Sequence, residues 1–296
     1  MLGKKVGFAL AAAFALTACG NNAFSSLADK NSDAAKQEQA QMDINSGNYA
    51  TAITTLAALC PNNGSGVPTC PTAELTQELA SAYMGSAGLD VLTLVKTLDA
   101  ANKGTNTNVD FANISTSIGL SSAVSTSPTD IAAANTANAA HLASINSAIQ
   151  VLSSLPSPTA DQQLQLGIAQ ASAAVIAIGS TTGGYDSNGI PMTCGGNCAT
   201  SSTIGAALSA NVPGTTTPAA LYAANQLFSA SSNINSSVAG NTGTNSTVQQ
   251  TNDLNFSIAN LTPGNASTCH GAASSSYTPV TLTATQVTSY VTTCLH

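Results

Sequence analysis

Three times the chain sets Ser or Thr before Pro at the head of an alanine-rich run: Ser127-Pro128, Ser157-Pro158 and Thr217-Pro218. A hydroxyl side chain accepts from an orphan amide of the first helical turn. Proline fits just inside a helix start, where its missing N–H is not needed and its φ is preset. Asp130 adds a negative charge beside the positive end of the first such helix. Behind that signal Leu142, Ile145, Ile149 and Leu152 recur at three- and four-residue spacing, which predicts one buried face. "LPSPTAD" then turns the chain into a partner carrying Leu164, Ile168, Ala171, Val175 and Ile178. The two form a predicted antiparallel hairpin. The third signal opens a helix with Leu221, Ala224, Phe228 and Ser231 facing inward, after a glycine-rich segment at 179–198. A weaker helix at 248–259 follows, then a short one with Val287, Tyr290, Val291 and Cys294 on one face. Only "PVTLT", at 279–283, has a strand-like pattern. The expected fold class is all-α, built of stacked antiparallel helical hairpins with long Ser/Thr/Asn-rich loops.

The N-terminal part carries another hairpin. Asp33 to Ile44 is rich in helix formers, Ser46-Gly47-Asn48 breaks the run, and Tyr49 to Leu59 resumes it. Tyr49, Ala52, Ile53, Leu56 and Leu59 make an apolar stripe on the second helix. Gly47-x-Tyr49-x-x-Ala52-Ile53-x-x-Leu56 resembles the turn and second helix of a tetratricopeptide repeat. In that family the glycine permits the turn, the aromatic packs into it, and the small Ala lets the helices approach. Leu79-Ala80-x-x-Tyr83 resembles the first helix of a following repeat. Other positions depart from the pattern. Lys36, Gln39 and Asp43 stand where larger apolar residues belong, Gly85 and Gly88 punctuate the third helix, and "VLTLVKTL" lacks the expected Ala. An unrelated set of amphipathic helices is the competing reading of residues 33–100.

Composition limits both the core and the partners. Alanine dominates the 43% hydrophobic content, aromatics are 4%, and Trp and Arg are absent. Helices must therefore approach closely over small side chains. Charged residues are only 6%, against about 25% in an average soluble domain. Without Lys4 and Lys5, four lysines face thirteen acidic residues, a formal charge of −9. Nucleic-acid binding rests on Lys and Arg neutralising phosphates, so nucleic acid is excluded as a partner, and so is electrostatic contact with anionic lipid. So few carboxylates also leave little to lose when an acidic exterior protonates them.

The N-terminus supplies an address. Lys4 and Lys5 precede the apolar run Val6 to Ala18, which is shorter than the ~20 residues that span a bilayer. This is the layout of a secretory signal peptide. Leu16-Thr17-Ala18-Cys19 resembles the lipobox of bacterial lipoproteins, in which the cysteine thiol takes a diacylglyceryl group before cleavage. The resemblance implies a signal peptide at 1–18, lipid attachment at Cys19 and a tether at 19–32. Each buried acyl carbon contributes ~0.8 kcal/mol, so two or three chains would hold the protein on a membrane almost permanently. Gly20 follows the cysteine and no Asp stands beside it, which in that family implies the outer membrane, here facing the periplasm.

Six further cysteines remain: Cys60, Cys70, Cys194, Cys198, Cys269 and Cys294. An even set in an exported chain reads as disulfides, with fifteen pairings open. Proximity favours Cys60–Cys70, Cys194–Cys198 and Cys269–Cys294. Loop entropy then contributes about 2 kcal/mol for the shortest and roughly 3 to 3.5 for the others. A c-type haem is excluded, because Cys194 to Cys198 has one residue too many and no following His. A zinc site is disfavoured by three scattered His, at 141, 270 and 296.

Catalytic patterns are missing from the sequence. The loop at 183–189 alternates Gly, Asp and Asn, but Gly184 and Gly195 stand where an EF-hand needs acids. It also lacks the Gly-Lys-Ser/Thr ending of a phosphate loop. Gly-x-Ser-x-Gly and His-Glu-x-x-His do not occur. His141 beside Leu142 reads as a partly exposed helix residue. Glu74 and Glu78 read as a solvated face, and Asp99 and Asp110 are parted by the low-complexity link at 101–127. The expectation is a non-enzymatic chain without cofactor or metal. It would be a membrane-anchored helical scaffold or binding lipoprotein of the cell envelope, its helices at 33–100 and 128–296 meeting a protein partner or small ligand. The alternative is an accessory solute-handling lipoprotein of a periplasmic transport system, similar in outline to repeat-bearing lipoproteins of tripartite transporters. That reading expects a pocket lined by side chains such as Tyr83, Tyr185 or Phe228.

Overall fold

The computed structural model describes residues 31–61, 68–89, 115, 117–187, 189–196, 198, 201–237, 258–260 and 280–294. Among them the chain is all-α. Its helices are α1 (Asp33–Asn45), α2 (Tyr49–Leu59), α3 (Ala73–Ser86), α4 (Pro128–Ser153), α5 (Ala160–Thr182), α6 (Ile204–Ser209), α7 (Ala219–Ser237) and α8 (Ala284–Cys294). A 3-10 turn at Met192–Cys194 lies between α5 and α6. Each long helix packs on the next, α1 on α2, α2 on α3, α3 on α4, α4 on α5, α5 on α7 and α7 on α8. The short α6 touches α5, α7 and α8.

The helix starts follow from local chemistry. Ser32 Oγ accepts from Ala35 N, Thr72 Oγ1 from Leu75 N, and Ser127 Oγ from Asp130 N, with Pro128 in the first turn of α4. The start of α5 falls later than Ser157-Pro158 predicts. Thr159 is its N-cap, because Gln162 returns a bond to the Thr159 amide while Thr159 Oγ1 accepts from Gln162 N. That reciprocal pair satisfies two orphan amides, which Ser157 could not do. Gln162 Nε2 also donates to Ala73 O, tying the start of α5 to the start of α3.

Helix α5 is central. Its predicted stripe understates it: Ile168, Ala169, Ala173, Ala174, Ile176, Ala177 and Ile178 are all buried, whereas Leu164 and Ala171 are half-buried. It is apolar and long enough to cross a membrane by length and composition, and the surrounding helices account for that character. The stripe of α7 is rotated from expectation. Ala220, Ala223, Ala224, Leu227, Ala230 and Ile234 are buried, Phe228 is half-buried and Leu221 is exposed. Small residues face α5 here because the two helices run close. A Cβ on Gly167 would stand 2.5 Å from Ile234 Cγ1 and 3.1 Å from the Ala230 carbonyl oxygen.

Residues 280–283 form no strand and lead directly into α8, where Val287 and Val291 are buried. The predicted helix at 248–259 is described only at its end, where 258–260 are helical and Ile258 is buried. The segment "VLTLVKTL" lies outside the described residues. The end of the Ser/Thr/Asn-rich link is part of the core. Ile118 is buried, and a Cβ on Gly179 would stand 2.7 Å from Leu120 Cδ1.

Gly85 has a similar explanation, since a Cβ there would lie 2.2 Å from Tyr49 Cε1, within the ring's own space. Gly85→Ala should therefore destabilise the protein by about 1–2 kcal/mol in urea unfolding. In a Tyr49→Ala background the same change should become stabilising, by up to ~1 kcal/mol, through helix propensity. A cycle with no coupling would show that ring and glycine do not compete for one space.

Candidate functional site

The predicted site residues fall in three groups. Cys19, the lipid attachment position, lies outside the described residues, as does Cys269. Cys60 and Cys70 are joined and close the loop between α2 and α3, which is also pinned by Thr69 N donating to Pro61 O at 3.1 Å. Cys194 and Cys198 are joined as well, both buried, with Cys194 ending the 3-10 turn. Cys294, in the last turn of α8, is also disulfide-bonded.

The loop that resembled a calcium site is a tight turn. Tyr185 and Pro191 form an antiparallel bridge, Asp186 N donates to Ile190 O, and Asp186 Oδ1 accepts from Ile190 N at 2.9 Å. The carboxylate thus serves its own turn. No group of three His, Cys, Asp or Glu able to hold a metal occurs among the described residues. Glu74 is exposed and Glu78 half-buried on α3, and His141 is half-buried on α4. Asp99 and Asp110 lie outside the described residues. Glu74 and Glu78 lie four residues apart on α3, and His141 lies on α4.

The polar chemistry that is assembled belongs to uncharged side chains. Asn138, fully buried on α4, donates Nδ2 to Ser121 O at 2.8 Å and to Gly179 O at 3.3 Å. Its Oδ1 accepts from Ser121 N at 2.8 Å. Asn135 Oδ1 accepts from Gly183 N, which lies just past the end of α5. Ser122 Oγ donates to Tyr185 O and accepts from Tyr185 N. These bonds clamp the segment 121–123, α4 and the end of α5 into one polar knot. Its signal in the sequence is that Asn138 stands four residues before Leu142, on the apolar stripe.

A second polar set lies between α7 and the α4–α5 turn. There a groove of about 310 Å³ has walls of Leu152, Leu155, Pro158 and Phe228, with Gln170 and Asn233 among its lining. Asn233 Nδ2 donates to Gln170 Oε1 at 2.8 Å and to Ser229 O at 3.1 Å. Further along, Tyr222 Oη donates to Asn146 Oδ1, linking α7 to α4. Of the three aromatics named from the sequence, Phe228 lines this groove. Tyr83 is half-buried against the core on α3, and Tyr185 is buried, its hydroxyl donating to Val175 O at 3.2 Å. The groove had no legible signal, because Gln170 sits inside an apolar run and Asn233 is sixty-three residues away.

Burial raises the Tyr185 phenol well above its ordinary value and pushes Tyr290 up to about 12. Unfolded tyrosine ionises near about pH 10, so above that pH the unfolded chain releases protons that the folded chain keeps. This contribution is whole below about pH 10 and is lost as the pH rises toward that of Tyr290. Urea midpoints measured from pH 8 to beyond pH 11 should fall above about 10. Tyr185→Phe should cost about 1 kcal/mol at neutral pH through its lost hydrogen bond and should flatten the alkaline fall. An unchanged alkaline slope would show that this phenol does not carry it.

No protein-family model matches the chain, and no curated protein or solved structure matches it either.

Proposed function

We propose that this chain is a lipid-anchored, non-enzymatic helical scaffold of the bacterial cell envelope, held at the outer membrane and facing the periplasm. On this reading its helices form a platform for a protein partner or a small ligand. The observation that carries the reading is the lipobox-like Leu16-Thr17-Ala18-Cys19 at the end of a short apolar run with a basic start. Two closed disulfides agree with an oxidising compartment. The uncharged polar groups of α4, α5 and α7 suit binding better than proton transfer, which needs groups that titrate near the working pH.

Within the scaffold we read α1 to α3 as TPR-like. Gly47 takes φ 78° in the turn, Ala52 is fully buried between helices, and α1 touches α3 as well as α2. The Tyr49 ring reaches across to Gly85 of the next helix, as an aromatic packed at an inter-helix turn would. The alternative role, as a solute-handling accessory of a transport system, draws on the groove beside Phe228.

The anchor is tested by intact mass and fractionation of the native protein. The mature chain should begin at Cys19, carry the added mass of two or three acyl chains, and sediment with membranes. Cys19→Ala should retain residues 1–18 and lose the acyl mass. A wild-type chain recovered in the soluble fraction with an unmodified Cys19 would overturn the proposal.

A further inference from the structure

We propose that the groove between α7 and the α4–α5 turn is a binding site for a small neutral saccharide. The site is built rather than incidental. Gln170 is only 8% exposed, yet it sits on the central helix α5 among apolar residues. Burying a carboxamide is costly unless its polar atoms are matched. Its Oε1 is matched by Asn233 Nδ2 at 2.8 Å. The structure gives Gln170 Nε2 no acceptor and Asn233 Oδ1 no donor among the described residues. The pair therefore offers a ligand one donor group and one acceptor.

The remaining lining selects the ligand class. No charged side chain lines the groove, so neither an anion nor a cation finds a counter-charge there. Ser153, Ser229 and Ser232 add hydroxyls that both donate and accept. A sugar hydroxyl does the same, so each contact can be made in either sense. The Phe228 ring supplies an apolar wall for the C–H face of a pyranose. The volume of about 310 Å³ is at the small end of ligand sites, roughly 300–1,000 Å³. The inference draws on the envelope reading only for access to glycans; its chemistry does not depend on the lipid.

The test is calorimetric titration of the full mature chain in detergent with maltose, N,N′-diacetylchitobiose, a blocked neutral dipeptide and citrate. Saturable binding of a disaccharide is expected, with a Kd of ~1 mM or tighter. Gln170→Leu, close in volume and lacking the amide, should weaken it by about tenfold through lost hydrogen bonds. Ser232→Trp alters an exposed rim position and should abolish binding by filling the groove without disturbing the core. Matching thermal melts of this variant and wild type would show that its fold is kept. No saturation by either sugar up to ~10 mM, tighter binding of the dipeptide or citrate, or binding indifferent to Ser232→Trp would each overturn the proposal. Failure of these titrations leaves acylation at Cys19 intact, and a soluble, unacylated chain would leave the titrations intact.

Discussion

Close approach of helix backbones over glycine and alanine is the constraint on which this structure depends. A chain with 4% aromatics and no Trp cannot fill wide spaces between helices with large side chains. It narrows the spaces instead. Gly167 on α5 takes the flank of Ile234 and the Ala230 carbonyl of α7 against its own backbone. Ala223, Ala224 and Ala230 present a low surface on the other side. Gly88 and Gly119 meet almost Cα to Cα, at a distance where a Cβ on Gly88 would stand 2.9 Å from the Gly119 Cα. Close packing of this kind gathers many small dispersion contacts, and it makes each glycine hard to replace.

Backbones brought so near one another need their polar groups matched, since water is excluded between them. The uncharged knot around Asn138 meets that need where three segments converge. A carboxylate there would require a counter-charge, and the chain holds only six cations. A carboxamide both donates and accepts, so Asn138 can join Ser121 and Gly179 without one. Gln162, Gln165 and Gln170 play related parts along α5, reaching Ala73 O, Ser81 Oγ and Asn233. Among the described residues the ion pair of Lys36 with Asp33 lies at the exposed start of α1, where such pairs contribute little. Amides thus take the place that salt bridges hold elsewhere.

What the sequence made legible was local. The first hairpin was readable to within a residue or so, because Gly47 and the stripe at Ala52 and Leu56 depend on near neighbours only. The caps at Ser127 and the short-range disulfides at Cys60–Cys70 and Cys194–Cys198 are local in the same sense. Leu221 misled, because periodicity favours the larger residue of a pair while α5 admits only the smaller Ala220 and Ala224. The single stripe assigned to α5 held at Ile168, Val175 and Ile178 but understated the helix, for a related reason. A helix surrounded by α4, α6 and α7 has no solvent face over much of its length, and its neighbours come from distant parts of the chain. The groove was hidden for that reason too, its two amides being joined only by the packing of α5 on α7.

The proposed anchor and the helical stack constrain each other through chain length. An extended chain covers at most ~3.5 Å per residue, so the fourteen residues 19–32 would let α1 stand no more than about 50 Å from the bilayer surface. Nothing in the charge of the stack would draw it closer, since a formal −9 is repelled by anionic headgroups at short range and screened beyond about 10 Å. On the proposed reading, a lipid held in the membrane and a surface held off it would confine the stack to the space within that reach. For a binding platform this raises the effective concentration of any partner fixed in the same layer, without requiring a strong contact at the site itself. An uncharged groove is compatible with that proposed arrangement, because tethering would compensate for weak intrinsic affinity.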